Sequence, residues 1–172
     1  MNSIVYDIIQ LQFTQNLNAL KHCLLKAQAH AEANKFDAQC FLDTKLAPDM
    51  FPFKKQIQMI SDNAKGAVSR LSGKEAPVFE DNEKSFAELV TRLDKTIEYV
   101  SSFKAEDFKN FDSQKAVFPW YPGKYLNGHD YLVSFAIPNF YFHLTTAYNL
   151  LRNSGVQIGK RDFLGDLAWK DL

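Results

Sequence analysis

The stretch 127-NGHDYLVSFAIPNFYFHLTTAYNLLRN-153 decides how the rest of the chain is read. Asn127 is a good N-cap, and Asp130, three residues on, can act on the free N–H groups of a first helical turn. Leu132, Val133, Ala136, Phe140, His143, Ala147, Leu150 and Leu151 then recur at helical spacing, and Gly155 closes the element. Pro138 removes one backbone hydrogen bond and pushes against the carbonyl of Ser134, so a kink or a widened turn is expected just before Asn139. His143 lies within the apolar stripe, and Asn139 precedes it by one turn on the same face. An inward histidine can bind a metal or serve as a general base near neutral pH. It can equally be a core histidine hydrogen-bonded to another helix. The stretch alone leaves both readings open.

Working outward, three more helices are expected. After Ser3, a plausible N-cap, the positions Ile9, Phe13, Leu17, Leu20, Leu24, Ala27 and Ala31 follow steps of three and four, which predicts a helix ending near Ala33. Asp37 can cap a short turn through Cys40 and Leu42. Pro52 fits the first turn of a second helix that carries Ile57, Ile60, Ala64, Ala67, Val68 and Leu71 inward and stops at Gly73. Pro48 to Phe53, just before it, is either a pocket rim or simply a rigid start to the helix. Lys74 to Asn82 reads as a connection restrained by Pro77, with Asp81 or Asn82 available as the next N-cap. Phe86, Leu89, Leu93, Ile97 and Val100 define the third helix, and the alternating charges Glu83, Lys84, Glu88, Arg92, Asp94, Lys95 and Glu98 predict its solvated face. Between Ser101 and Asn127 no helical stripe survives. Val117 to Leu126 reads as a short hairpin around Pro122-Gly123, placing Trp120 and Tyr121 either over an opening between helices or on a plain crossover.

With 172 residues, 46% hydrophobic and 23% charged, the chain has the size and composition of one soluble domain, residues 1–172. Its fifteen Phe predict a core or pocket built on large flat side chains. Twenty basic residues balance twenty acidic ones, so the electrostatic attraction behind nucleic-acid affinity is missing. No apolar run is long enough to span a bilayer and no signal peptide opens the chain, which leads us to expect a cytoplasmic protein with neither a nucleic-acid nor a membrane partner. Cys23 and Cys40 match no zinc or redox spacing and are expected to be buried thiols. His22 and His30 lie about 12 Å apart along the first helix, too far to share an ion, and read as surface or boundary residues. His129 reads as a helix-start residue.

The segments 46-LAPDMFPFKKQIQ-58, 79-FEDNEKSFAEL-89 and 129-HDYLVSFAIPNFYFHLTTAYNLLRNSGVQIGKRDFLG-165 resemble the bacterial domain-of-unknown-function family numbered nineteen ninety-three, grouped with the DinB-like proteins. The resemblance covers nearly the whole chain. It implies an all-α fold, a four-helix bundle of DinB-like type with a long crossover before the last helix, the crossover containing the hairpin. Many DinB-like relatives hold a divalent metal with three histidines, two as HxxxH on the last helix and one on the second, and some are thiol-dependent transferases or hydrolases. On that pattern His143 matches the second histidine of the pair and Asn139 takes the place of the first. No histidine occurs between His30 and His129 to supply the second-helix ligand, so a divalent metal would need Asp49 or another carboxylate to complete its site.

Three functions are therefore carried forward. The first is a small-ligand or partner-binding protein without a complete metal site, its aromatic cavity polarised by Asp49, Gln56, Asn139, Tyr141 and His143 and flanked by Trp120. The second is a metal-dependent DinB-like enzyme, a transferase or hydrolase, with a degenerate site around His143 as ligand or base. The third is a homodimeric scaffold meeting its second copy through exposed aromatic surface, with the Lys160 to Gly165 tail docking across the bundle or onto that copy.

Overall fold

In the computed structural model, which describes residues 4–171, α1 spans residues 4–33 as Ile4–Ile8, a π-helical segment Ile9–Thr14 and Gln15–Ala33. Its predicted stripe, from Ile9 through Phe13, Leu17, Leu20, Leu24 and Ala27 to Ala31, is buried throughout. Ser3, expected as its N-cap, lies outside the described residues. Asp37 accepts a hydrogen bond from the Gln39 N–H at 2.9 Å and caps a single 3-10 turn, Ala38–Phe41. That turn sits at the surface, so Cys40 is exposed where a buried thiol was expected. Cys23 is buried as expected, and burial, then the nearby Asp162 charge, pushes its thiol up to about 11.

The second helix, α2, runs Phe53–Ser72 with Pro52 at the N-cap and Gly73 closing it at φ 77°, the left-handed conformation glycine reaches without penalty. Its six predicted inward positions, Ile57 to Leu71, are all 0% exposed. Helix α3, Phe86–Ser101, begins later than Asp81 or Asn82 would allow: Ser85 accepts from the Glu88 N–H while the Glu88 carboxylate reaches back to the Ser85 N–H. This reciprocal pair satisfies two free helix donors at once. Replacing Ser85 with alanine is expected to remove about 1 kcal/mol of stability in urea titrations. An equal loss from Asn82→Ala, with none at Ser85, would return the cap to the position read from sequence.

The charged face of α3 is not uniformly solvated. Arg92 is only 3% exposed, because the connection before the helix folds over it. Its Nη1 donates to Glu83 at 2.8 Å and to the Glu80 carbonyl at 3.1 Å, and its Nη2 to Asp62 at 2.9 Å, with Asp81 3.0 Å away. Phe79 closes over the cluster, with Lys65 3.8 Å above its ring. Burial alone would push Glu83 up, but hydrogen bonds from Arg92 and Gln58 outweigh it and hold the carboxyl below its ordinary range.

After α3, short 3-10 turns lead to an antiparallel hairpin of β1, Lys115–Val117, and β2, Tyr125–Asn127, paired Lys115 with Asn127 and Val117 with Tyr125. The sequence placed this hairpin, and Gly123 turns it at φ 75°. Asn127 then caps α4, residues 128–153, by accepting from the Asp130 N–H at 2.8 Å. Gly128 lets the two segments meet, since a Cβ there would run into the Phe111 carbonyl. As Pro138 predicts, α4 widens into a π-helical segment, Tyr131–Ala136, before regular helix resumes at Ile137–Asn153. The widened turn absorbs an extra residue. Tyr131 and Leu132 are consequently buried and Val133, assigned to the stripe, is 51% exposed.

The aromatic residues mostly fill the core rather than line a cavity, as in the Phe13–Phe140 and Phe53–Phe86 contacts at 4.8 and 5.7 Å. The fold is mostly helical. α2 packs against α3 and α4, and α1 against α3, α4 and a short last helix α5, Lys160–Leu164. Among the described residues no helix is long and apolar enough to cross a membrane.

Asp162 ties α5 to α1: it takes the Lys26 ammonium at 2.7 Å and the Gly159 N–H at 2.7 Å, with His22 3.3 Å away. The Lys26 hydrogen bond foremost holds this carboxyl below its ordinary range. A carboxyl depressed in the folded state contributes stability that is present above its unfolded pKa of about 3.9 and lost as pH falls through the folded value. Hydrogen exchange at residues 160–165 is therefore expected to rise below about pH 4 in the native protein. In Asp162→Asn the exchange should already be raised at neutral pH, and a flat native profile would contradict the assignment.

Candidate functional site

The antiparallel seam between α2 and α4 carries the polar groups that neither the core nor the ion clusters use. His143, on the inward stripe of α4, is 6% exposed, and Gln56, in the first turn of α2, is 1% exposed. His143 Nδ1 lies 2.7 Å from Gln56 Oε1, and Gln56 Nε2 donates to the Phe51 carbonyl at 3.0 Å. This chain of two bonds fixes a tautomer. The Phe51 carbonyl can only accept, so the amide nitrogen of Gln56 must face it and the amide oxygen must face the histidine. Nδ1 therefore carries the proton and Nε2 the lone pair. Burial lowers the His143 pKa from its ordinary value, which keeps the ring neutral at pH 7.

Nε2 has no hydrogen-bond partner among the described residues. Among the described residues it is not one of the unpartnered side-chain polar atoms fully sealed from solvent, which are Asn63 Nδ2 and Oδ1 and Arg92 Nε. Phe142, 56% exposed, stands edge-on to the imidazole at 5.1 Å and forms an apolar lip. Asn139, half-buried one turn earlier, is on the same face of α4.

Sequence reasoning missed Asn63. It lies about 10 Å along α2 from Gln56, on the same face. The pairing is anchored at one end by Gln56 and His143 and at the other by Gly66, whose Cβ position is 4.0 Å from the Tyr131 hydroxyl. Helical spacing between these anchors puts Asn63, 8% exposed, on the side of α2 toward α4. The available signal was an amide at i+7 from Gln56 inside an otherwise apolar stripe.

The other expected site residues lie elsewhere. The Tyr141 hydroxyl donates to Gln12 at 2.7 Å and accepts from Asn16 at 3.1 Å, so this side chain faces α1. Asp49 is exposed on the turn before α2. Trp120 is 61% exposed and tilts against Phe118 at 5.0 Å. Phe118 lies 6.0 Å from Tyr131, and Tyr131 is about 18 Å along α4 from His143. Gln56 and His143 thus meet and Asn139 shares their face; Trp120 and Tyr141 do not join them, and among the described residues Asp49 makes no hydrogen bond or ion pair with them.

The donor set does not fit a resident divalent metal. His143 Nε2 and the Asn139 amide oxygen are one imidazole and one neutral carbonyl, whereas zinc sites use three or four strong donors. Among the described residues no three His, Cys, Asp or Glu side chains converge.

The mostly helical frame, with its small hairpin before the last long helix, resembles a DinB family fold. The crystal structure of a DinB family member protein from Shewanella denitrificans superposes on the chain with a TM-score of 0.95 at 39% identity, covering 99% of this chain and 97% of that one. More particularly, residues 5–164 match the model of the domain of unknown function DUF1993, and the chain belongs to that family. No curated protein matches the chain.

Proposed function

We propose that this protein is a DinB-like four-helix bundle that binds a small, uncharged ligand at the α2–α4 seam without a metal, using His143 Nε2 as a hydrogen-bond acceptor and the Asn139 amide beside it. The observation that carries the reading is the Phe51–Gln56–His143 chain, which leaves an unused lone pair on a buried, neutral ring. A lone pair held this way selects a donor: a hydroxyl, an amide N–H or a thiol. An ammonium gains little there, since among the described residues no carboxylate lies within ion-pair reach of the ring. The Phe142 ring supplies apolar contact, so the ligand pairs a donor with a hydrocarbon portion.

The same neutral Nε2 has the form a general base or a metal ligand needs, which keeps the metal-dependent enzyme as the rival reading. Elemental analysis of protein purified without a histidine tag separates the two. Under the present proposal, nickel, zinc and iron are each well below one per chain and unaffected by His143→Ala. Stoichiometric metal that His143→Ala removes would sink it. Nitrogen-15 spectra of the imidazole give the positive arm, with a neutral Nδ1–H ring expected at pH 7. Its Nε2 resonance should move when fragments bearing hydroxyl, amide or thiol donors are added, and a ring indifferent to every donor class would count against ligand binding.

A further inference from the structure

A groove of about 1190 Å³ separates α1 from the chain that follows α5, on a face that takes no part in the His143 seam. The part of its wall that α5 supplies is tied to α1. Gln15 Nε2 donates to the Leu164 carbonyl at 2.8 Å, Lys26 holds Asp162 at 2.7 Å, and Gly165, at φ 67°, packs with its Cβ position 3.1 Å from Ala19 Cβ. Apolar side chains nevertheless face solvent along it: Leu11 is 60% exposed, Leu164 38%, Leu167 41% and Trp169 85%. Beside Asp162, which Lys26 neutralises, two opposite charges line it, Arg161 and Asp166, both exposed. Among the described residues neither takes part in an ion pair.

We propose that this groove is the contact between two copies of the chain related by a two-fold axis, with Trp169 of each copy seated in the other's groove and Arg161 of each facing Asp166 of the other. A two-fold contact sets one patch against itself. A patch with charges of a single sign would then repel its own image, whereas one free cation and one free anion flanking an apolar centre are complementary to theirs. A strongly acidic or basic partner, or an anionic membrane, would be met by a lip of one sign. The groove has both. Tryptophan is the side chain that most often anchors an interface, because it brings a large rigid area at little entropic cost.

Sedimentation velocity of the full chain over a concentration series tests this. The native protein is expected to dimerise, and Trp169→Ala to weaken the dimer by about tenfold or more. Arg161→Glu and Asp166→Arg should each weaken it, while the double variant Arg161→Glu/Asp166→Arg, which exchanges the two signs, recovers affinity. Circular dichroism of these surface variants checks that the fold is kept. A native protein that is monomeric at every concentration overturns the proposal. So does a dimer indifferent to Trp169→Ala, or single charge changes that the exchange fails to rescue. None of these residues touches His143 or Gln56, so failure here leaves the ligand-binding reading standing.

Discussion

Replacing Arg92 with alanine is expected to destabilise the protein by about 3–5 kcal/mol, the range for removing one partner from a buried ion cluster. The side chain is 2% exposed in its ion pairs and ties together three stretches of chain: Asp62 on α2, Glu80, Asp81 and Glu83 in the connection, and its own helix α3. Without the guanidinium, Glu83, whose side chain is 9% exposed, loses its main cation, and Asp62 and Asp81 are left to Lys65 and Lys55. Repulsion among the acids then adds to the desolvation already incurred. Lysine would keep a charge but not the planar fork that reaches both sides, so Arg92→Lys should recover only part of the loss. Urea unfolding measures all three proteins. If Arg92→Ala stays within about 1 kcal/mol of the native protein, the cluster is energetically a surface network and the argument fails.

That expectation also locates a limit of the sequence. Alternating charges along α3 obey the pattern of a solvated face, and most of them follow it. Arg92 departs because residues 79–83 return over that face, a tertiary event with no local signature beyond Phe79 and the acids near it. Helical stripes were legible because burial repeats every three or four residues, and the inward positions of α1 and α2 emerged as read. Pro138 likewise announced the widened turn, but not that the extra residue would rotate Val133 outward. The site was legible only in pieces. Gln56 and His143 each stood out as polar groups on apolar stripes, yet nothing local told that they meet across 87 positions. Tyr141 was misplaced for a related reason: two residues from His143 on a helix, it points about 200° away and finds Gln12 and Asn16 on α1.

Leucine at Gln56 is the second large expected effect, and it tests fold and function together. The change leaves the Phe51 carbonyl without the Gln56 donor and the His143 Nδ1–H without an acceptor, next to an apolar side chain of similar volume. One buried polar group left unpaired costs about 1–3 kcal/mol, and urea unfolding should register a loss of that size or larger. The functional consequence is separable from the stability loss. With no acceptor at Nδ1 nothing holds the proton on that nitrogen, so nitrogen-15 spectra should pass from a single Nδ1–H form to a mixture. Protons then occupy Nε2 part of the time and turn the proposed acceptor into a donor. Fragments that donate to Nε2 in the native protein should bind Gln56→Leu more weakly, while Asn139→Ala weakens them and leaves the tautomer unchanged. Acid gives an independent readout. Because burial lowers the folded pKa of His143, its neutral ring contributes stability that is complete above the unfolded value of about 6.5 and lost as pH falls through the folded one. His143→Gln should flatten that part of the stability profile. A single unaltered tautomer in Gln56→Leu would mean that something other than Gln56 sets the proton, and the reading of Nε2 as a prearranged acceptor would fall with it.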